Sequence, residues 1–225
     1  MRSHFTVHKF NPQKNTRPSP VEYVLDIDPR ETVLMALTRI QENLDPDLAF
    51  RYACNARKCG ECGLLVNNKA VLACDEQVQP DQTIEALPFF PVIKDLVVDT
   101  EPFLKKTSQT ITRGMSLFAS SDRITPIDLE VLKGCLEPTQ CMGCLLCQAA
   151  CPLARKAQKH FSGPFPLLAL SQLALDPRFE GAFTIIAREM GAQVCSECGK
   201  CTGVCPQQVD VPALFLKLFG ERRDL

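Results

Sequence analysis

Alternating apolar residues mark the first strands of the chain. Phe5 and Val7 alternate with polar neighbours, and Tyr23, Leu25 and Ile27 repeat the pattern after a turn-rich connection. In a β-strand successive side chains point to opposite faces, so a period of two places these residues on one buried face. The pattern therefore predicts two strands, one on each side of the segment 11–20.

A change of period indicates a helix within the same region. Leu34, Leu37, Ile40 and Leu44 recur at helical spacing, which predicts a helix over Val33–Asn43. Short apolar runs after it predict further strands, and a pair of asparagines supplies a turn. These elements are the strands Gly63–Val66, Val71–Ala73 and Thr83–Leu87 and the turn Asn67–Asn68. One helix packed on a twisted sheet predicts an α+β fold of the β-grasp type.

From about Pro102 onward the pattern is helical. Apolar residues recur three or four positions apart, and prolines and glycines stand where helices would start and stop. The predicted features are a helix start at Thr125–Asp128, a stripe of Leu167, Leu170 and Ala174, a helix Phe179–Met190 before Gly191, and a last helix from Asp210 to Gly220. We expect two domains, an α+β domain over residues 1–100 and an all-α domain over residues 101–225.

Composition narrows the classes of function. The chain has 225 residues, 45% of them hydrophobic, and 25 basic residues against 26 acidic ones give a net charge of −1. This balance gives no reason to expect a nucleic-acid partner. No apolar run approaches the ~20 residues that span a bilayer, and Met1–Phe5 lacks the apolar core of a signal peptide. We expect a cytoplasmic protein that reaches the cytoplasmic face of a membrane only through partners.

Cysteine is the residue that decides the chemistry. Thirteen cysteines are present, and twelve of them fall into three sets of four. The sets are Cys54-x4-Cys59-x2-Cys62-x11-Cys74, Cys141-x2-Cys144-x2-Cys147-x3-Cys151-Pro152 and Cys195-x2-Cys198-x2-Cys201-x3-Cys205-Pro206. The first has the plant-type [2Fe–2S] spacing, and the other two are bacterial ferredoxin runs for [4Fe–4S] clusters. We predict a plant-type ferredoxin domain followed by a bacterial-ferredoxin-like domain, in a chain that carries electrons.

The two ferredoxin runs predict a crossed ligation, because the fourth cysteine of each run normally binds the other cluster. One [4Fe–4S] cluster is expected on Cys141, Cys144, Cys147 and Cys205. The other [4Fe–4S] cluster is expected on Cys195, Cys198, Cys201 and Cys151. Disulfides and structural zinc are the alternatives. Disulfides fit poorly without an export signal, and the 2-2-3 spacing before proline does not suit one tetrahedral zinc ion.

Little outside the three sets suggests further chemistry. Cys135 is left over, and we expect a buried core thiol, with a redox or ligand role as the alternative. His4, His8 and His160 stand apart in sequence, without an HExxH motif, a Walker A loop or a G-x-G-x-x-G fingerprint. We therefore expect no catalytic residue in this chain, which would depend on a partner for substrate chemistry.

Segments around the cysteines carry a more specific signal that covers essentially the whole chain. They are Phe50–Cys54, Cys59–Gly63, Leu72–Cys74, Leu87–Pro88, Pro91–Asp99, Gly163–Pro164, Leu167–Leu170 and Asp176–Arg178. Through them the chain resembles the iron–sulfur subunits of the succinate dehydrogenase/fumarate reductase family. The resemblance implies a flavoprotein partner that carries FAD, with the [2Fe–2S] cluster nearest the flavin. It makes this chain the electron-transfer subunit of an oxidoreductase complex.

Three departures from the family pattern concern the far end of the relay. Cys198 completes a set that lacks one ligand in the usual member, which has a [3Fe–4S] centre there, so we expect [4Fe–4S]. The usual tryptophan after the first Cys-Pro is replaced by Leu153–Lys156, and Ser196 stands where histidine is usual. Because the family's quinone site uses that tryptophan, we expect no standard quinone pocket. A heterodisulfide-reductase-like, cysteine-rich subunit or another redox protein fits better.

Three functions therefore stay open at the level of sequence. The first is an electron-transfer subunit between a succinate dehydrogenase/fumarate reductase-like flavoprotein and a further redox subunit or membrane anchor. The second is a relay subunit of a heterodisulfide-reductase-type or other multi-subunit complex that acts on a different substrate. The third is a zinc-stabilised interaction module without redox chemistry.

Overall fold

The computed structural model describes residues 2–14, 16–113, 129–156, 160–176, 179, 181–195 and 197–219. The chain divides into two compact units. Unit 1 consists of Met1–Thr100 and Met142–Ala150, and unit 2 consists of Glu101–Cys141 and Cys151–Leu225. The expected helix start at Thr125–Asp128, the expected stop at Gly220 and the departure at Ser196 lie outside the described residues.

The described strands all lie before residue 100, together with one helix, and the described elements after them are helical. In chain order the elements are β1 (Arg2–Lys9), β2 (Ser19–Asp26), α1 (Val33–Asn43), β3 (Gly63–Val66), β4 (Lys69–Leu72), β5 (Gln82–Glu85), β6 (Val92–Lys94), β7 (Val97–Val98), α2 (Glu101–Thr112), α3 (Leu129–Thr139), α4 (Leu146–Ala150), α5 (Pro152–Arg155), α6 (Pro164–Ala174), α7 (Phe183–Glu189), α8 (Lys200–Gly203) and α9 (Val211–Leu216). Short 3₁₀ turns occupy Ala192–Val194 and Lys217–Phe219. None of the described helices combines the length and the apolar character that a membrane crossing needs.

Unit 1 is built on a mixed sheet of strands in the order β2-β1-β5-β3-β4. β1 pairs antiparallel with β2 and parallel with β5, and β3 and β4 form an antiparallel hairpin. Asn67 and Asn68 form the hairpin turn with φ of 47° and 65°, a left-handed conformation that asparagine tolerates well. The predicted helix coincides with α1, and the predicted α+β fold class is confirmed. The small β6–β7 hairpin was not predicted, because its runs are too short to show a period.

A buried carboxylate ties three segments of unit 1 together. Asp95, only 2% exposed, accepts hydrogen bonds from the backbone N–H groups of Phe10 (3.0 Å) and Ala49 (2.9 Å). The Asp95 N–H donates in turn to the Phe10 carbonyl at 2.8 Å. Because Ala49 leads into the loop that carries Cys54, Asp95 positions the start of that loop.

Replacing Asp95 by asparagine is expected to destabilise unit 1. An amide offers one oxygen where the carboxylate offers two, so one buried N–H group loses its acceptor, which costs about 2 kcal/mol. The free energy of unfolding, measured by urea denaturation without oxygen, reports the loss. Asp47→Asn is the matched control, since the Asp47 side chain is 80% exposed and only pairs with Lys94 at 3.6 Å. Equal losses in the two variants would contradict this role of Asp95.

Unit 2 packs its described helices around an apolar core. α6 packs on α9, and Leu167 and Leu170 of α6 and Val211, Leu214 and Phe215 of α9 are all fully buried. Burial at helical spacing on both elements explains why these two stripes were visible in the sequence. They make α6 and α9 the centre of the unit.

Some helix ends in unit 2 lie where the sequence predicted them, and one does not. Asp210 caps α9 by accepting a hydrogen bond from the Ala213 N–H at 3.3 Å, as its position predicted. Gly191, with φ 81°, lies just past α7. The predicted helix from Phe179 was too long, since α7 begins only at Phe183. Gly181 and Ala182, directly before α7, are exposed, so the packing that stabilises the helix begins only at Phe183.

Candidate iron–sulfur cluster sites

Cys54 lies in an exposed loop whose backbone surrounds its sulfur. The N–H groups of Ala56, Lys58 and Cys59 each donate to Cys54 Sγ at 3.3 Å. Hydrogen bonds to the thiolate favour the charged form, and those from Lys58 and Ala56 lower the pKa of Cys54 to about 7. The loop thus favours the form of cysteine that binds iron.

Left-handed backbone positions give the loop this shape. Asn55, Arg57 and Gly60 have φ of 47°, 56° and 75°. Alternation between right- and left-handed residues turns successive N–H groups to one side, which makes an anion-binding concavity. An arginine rarely adopts this conformation. Its side chain is held by an ion pair with Asp75 at 3.1 Å.

The β3–β4 hairpin brings Cys62 and Cys74 together. Gly63 pairs with Leu72 across the hairpin, and the Ala73 N–H continues the ladder by donating to the Cys62 carbonyl at 2.9 Å. The Ala73 carbonyl accepts in turn from Leu34, in the first turn of α1, at 2.8 Å. Cys74 is therefore held between the hairpin and the start of α1.

Burial makes the Cys62 thiol a poor acid on its own. The pKa of Cys62 is raised to about 12, mainly by desolvation. A hydrogen bond from the Cys74 N–H lowers this pKa, and the neighbouring thiols of Cys74 and Cys59 raise it. A buried thiolate needs a positive partner, which ferric iron supplies. Since Cys54 also shares a hydrogen bond with Cys59, the structure brings the four expected [2Fe–2S] residues together. This donor set fits the cluster.

The two ferredoxin runs share left-handed backbone positions. Positions two and four after the first cysteine are left-handed in both, at Gly143 (φ 74°) and Leu145 (φ 61°) and at Glu197 (φ 50°) and Gly199 (φ 69°). A short helix follows at the fifth position in each, α4 in the first run and α8 in the second. The repeat is therefore structural as well as sequential, although glycine and a larger residue exchange places.

One cavity in unit 2 collects four expected ligands. Cys151, from the first run, lines it together with Cys195, Cys198 and Cys201 from the second. Apolar residues close its wall: Pro152, Leu153, Phe161, Pro164, Pro212 and Phe215. Burial, followed by the nearby thiols, raises the pKa of Cys201 to about 11 and also raises that of Cys195. This arrangement fits a [4Fe–4S] cluster, whose irons each take one thiolate.

The remaining four cysteines are divided between the units. Cys144 and Cys147 belong to unit 1, and Cys141 and Cys205 belong to unit 2. Cys147 is buried in α4, and the other three are half-buried. Their joint ligation of one cluster stays a prediction. Within the described ranges, no three His, Cys, Asp or Glu side chains form a site for a single metal ion. The two sites described above fit clusters instead, in which each thiolate binds its own iron or shares one with a second thiolate.

Cys135 lies apart from the three sets in α3. It is 9% exposed, and its Sγ donates to the Leu175 carbonyl at 2.8 Å. Gln172 of α6 donates to the Pro138 carbonyl at 2.8 Å along the same contact. The thiol thus contributes to the packing of α3 on α6, which agrees with the expected core role.

Comparisons with known families identify both halves of the chain. Residues 4–105 match the model described as a 2Fe-2S iron-sulfur cluster binding domain. Residues 137–209 match the model described as a 4Fe-4S dicluster domain. The predicted cofactors, one [2Fe–2S] and two [4Fe–4S] clusters, are confirmed in type by these matches.

Curated relatives share the chain's sequence over most of its length. The fumarate reductase iron-sulfur subunit of Escherichia coli is 32% identical over 215 residues, which cover 92% of this chain and 87% of the relative. A subunit of the fumarate reductase (CoM/CoB) of Methanothermobacter marburgensis is 33% identical over 214 residues, or 92% of this chain. This chain spans only 41% of that relative, and 37% and 40% of two further archaeal iron-sulfur proteins.

A solved structure has the same fold. A chain of the Mycobacterium smegmatis Sdh1 complex in the apo form superposes with a TM-score of 0.84 and 24% identity. The match covers 97% of this chain and 94% of the other. The two predicted ferredoxin folds are thereby confirmed.

Sequence reasoning missed the residues that shape the loops. The N–H donors to Cys54 and the carboxylate of Asp95 were not predicted. Asn55 is a weak signal, since asparagine tolerates the left-handed region, whereas Arg57 gives none. Donation by a backbone group depends on the path of the chain and leaves no mark in residue identity.

Proposed function

Because this chain belongs to the family of succinate dehydrogenase and fumarate reductase iron–sulfur subunits, it is an electron-transfer subunit, and we propose that it connects an FAD-containing flavoprotein to a further redox partner. The observation that carries the proposal is the presence of three complete four-cysteine sets in one chain of this family. Bound clusters supply one-electron redox centres, and the protein holds and insulates them.

We assign the ligands as the sequence spacing predicts. The [2Fe–2S] set is Cys54, Cys59, Cys62 and Cys74. The first [4Fe–4S] set is Cys141, Cys144, Cys147 and Cys205, and the second is Cys151, Cys195, Cys198 and Cys201. Two observations support the assignment. The four cysteines of the last set line one cavity, and the thiols of the first set interact with one another.

The first set faces the flavoprotein in this proposal. All eight residues from 51 to 58 are exposed, so a partner can approach the Cys54 side of the loop. Arg51, Arg57 and Lys58 give this exposed surface a positive charge. A flavoprotein surface with carboxylates beside its FAD edge would complement it.

The second [4Fe–4S] set lies, in this proposal, at the end of the relay where electrons pass to the further redox partner. Cys198 completes that set, and the chain has no tryptophan to form the family's usual quinone pocket. The acceptor or donor there is then a redox centre of a partner protein or of a membrane anchor. A heterodisulfide-reductase-type relay is the second candidate function, favoured by the complete set and by the name of the Methanothermobacter relative. In both cases we infer that the partner supplies the substrate chemistry and that the chain works in the cytoplasm.

Turnover that depends on a flavoprotein tests the proposal. Alone, the cluster-loaded chain is expected to oxidise succinate or reduce fumarate no faster than buffer. Beside its flavoprotein, it should carry electrons from succinate to an artificial acceptor that the flavoprotein cannot reduce alone. The measurement is a dye-linked assay under anaerobic conditions, with Cys59→Ser as the variant expected to block transfer beyond the flavin.

Two results would count against this function. Turnover by the isolated chain would show a substrate site that the proposal denies. A colourless protein with stoichiometric zinc would support an interaction module, since iron–sulfur clusters absorb visible light and zinc does not. If succinate and fumarate are both inactive with the native flavoprotein, the heterodisulfide-type relay takes precedence.

A further inference from the structure

Two ligand loops touch inside unit 1 at a glycine. A β-carbon on Gly60 would lie 3.0 Å from both Cα and Cβ of Cys144 and 3.2 Å from its backbone nitrogen. Such distances are shorter than nearly all contacts that real β-carbons make, so a side chain at this position would push Cys144 away by a few tenths of an ångström. Gly60 follows Cys59 directly, and both Gly60 and Cys144 belong to unit 1.

A second glycine borders the same contact. A β-carbon on Gly63 would lie 3.3 Å from the Cys144 carbonyl oxygen and 3.3 Å from Leu146 Cδ2. Its remaining close neighbour is Leu87 Cδ1 at 3.0 Å, the end of a flexible side chain. Two glycines, Gly60 and Gly63, therefore lie where the loop around Cys62 meets Cys144.

We propose that Gly60 is a positioning residue for electron transfer, which holds Cys144 against the [2Fe–2S] loop so that electrons cross there between the first two centres. The inference rests on the ligand assignment within the proposed function. It adds the place of crossing and the residue that makes the crossing short.

The covalent path explains why this contact matters. From Cys59 Sγ the bonds lead through the Cys59 backbone to Gly60, and from Cys144 Cα they lead through Cβ to Sγ. Only one non-bonded gap, between Gly60 and Cys144, separates these two paths. Electronic coupling falls steeply across such gaps, so widening this one slows transfer. Each transfer moves a single electron, oxidising the donor centre and reducing the acceptor centre, and changes no covalent bond.

Substitution of Gly60 also strains the backbone, because Gly60 has a positive φ. Two other glycines of the chain allow the effect of strain to be separated from the effect of the collision with Cys144. Gly60 has φ 75°, and any other residue there is strained whatever the space around it. Gly143 and Gly199 have φ 74° and 69° in the other two ligand loops, yet a β-carbon on either meets nothing within 4 Å. Alanine at these positions imposes the backbone strain without the collision.

The experiment compares Gly60→Ala, Gly143→Ala and Gly199→Ala in the full chain, loaded with clusters and purified without oxygen. Iron and sulfide content is measured first. The chain is then reduced fully by photoreduction, and the spin relaxation of the [2Fe–2S] EPR signal reports its magnetic interaction with the neighbouring reduced centre. This interaction weakens steeply with distance and needs no flavoprotein, so it is independent of whether the proposed turnover is found.

Gly60→Ala is expected to keep its clusters and to lose a measurable part of the relaxation enhancement, while Gly143→Ala and Gly199→Ala keep the wild-type value. Native relaxation in a fully loaded Gly60→Ala chain would overturn the inference. So would an equal loss in the two control variants, since backbone strain would then explain it.

Gly63→Ala decides the matter if Gly60→Ala cannot hold its [2Fe–2S] cluster. Its collision with the Cys144 carbonyl is milder, so a fully loaded chain with a smaller loss of relaxation enhancement supports the inference. Unchanged relaxation in that variant overturns it. Loss of the cluster in both variants, with Gly199→Ala intact, would also overturn it, because the contact would then serve cluster assembly.

Discussion

Cys151→Ser is expected to damage the cluster on Cys195, Cys198 and Cys201, although Cys151 stands in the other run. Serine is a poorer ligand for iron than a thiolate, and the cavity of these four residues would lose one donor. Of about ten iron atoms per fully loaded chain, at least about one and at most about four should be lost, all of them from this cluster. Iron and sulfide analysis of anaerobically purified protein measures this.

Cys205→Ser tells crossed from uncrossed ligation. It should damage the cluster on Cys141, Cys144 and Cys147, and so change the magnetic interaction between the reduced [2Fe–2S] centre and this neighbouring cluster. Cys151→Ser should leave that interaction in place. The reverse pattern would show that each run holds its own cluster. Cys135→Ser is the matched control: its hydroxyl can still donate to the Leu175 carbonyl, so all three clusters should remain.

Cys198→Ala is expected to convert the last centre to [3Fe–4S]. A cubane with no thiolate at one corner readily loses the iron of that corner, so the chain should retain about nine iron atoms instead of about ten. The oxidised variant should show a new [3Fe–4S] EPR signal in an amount equal to the chain. Anaerobically purified wild-type protein should show none.

The same spectra can contradict the role of Cys198. A strong, stoichiometric [3Fe–4S] signal in wild-type protein, persisting without oxygen exposure, would mean that Cys198 binds no iron. Oxidative damage is distinguished by adding ferrous iron and a thiol, which should restore a damaged [4Fe–4S] centre. A native three-iron centre would not take up the added iron.

Cluster spacing and hydrophobic period were properties of short stretches of chain, and sequence analysis predicted them well. Cys54, Cys59 and Cys62 lie within nine residues, and their separation alone indicates the cluster type. The helix Val33–Asn43 was predicted to the residue, because its period and its flanking cap are both local. The start of α7 was predicted too early, since Gly181 and Ala182 before it are exposed, and burial is decided by the fold.

Features made by distant segments were decided only by the tertiary structure. Asp95 binds backbone groups 85 and 46 positions away, and Cys135 donates across 40 positions. The approach of Gly60 to Cys144 joins two loops that belong to different cysteine runs. The sequence by itself determined which clusters this chain can hold, because ligand chemistry follows residue type and spacing. Only the folded chain decided which loops touch, because contact depends on how separate elements pack, and no local pattern records it.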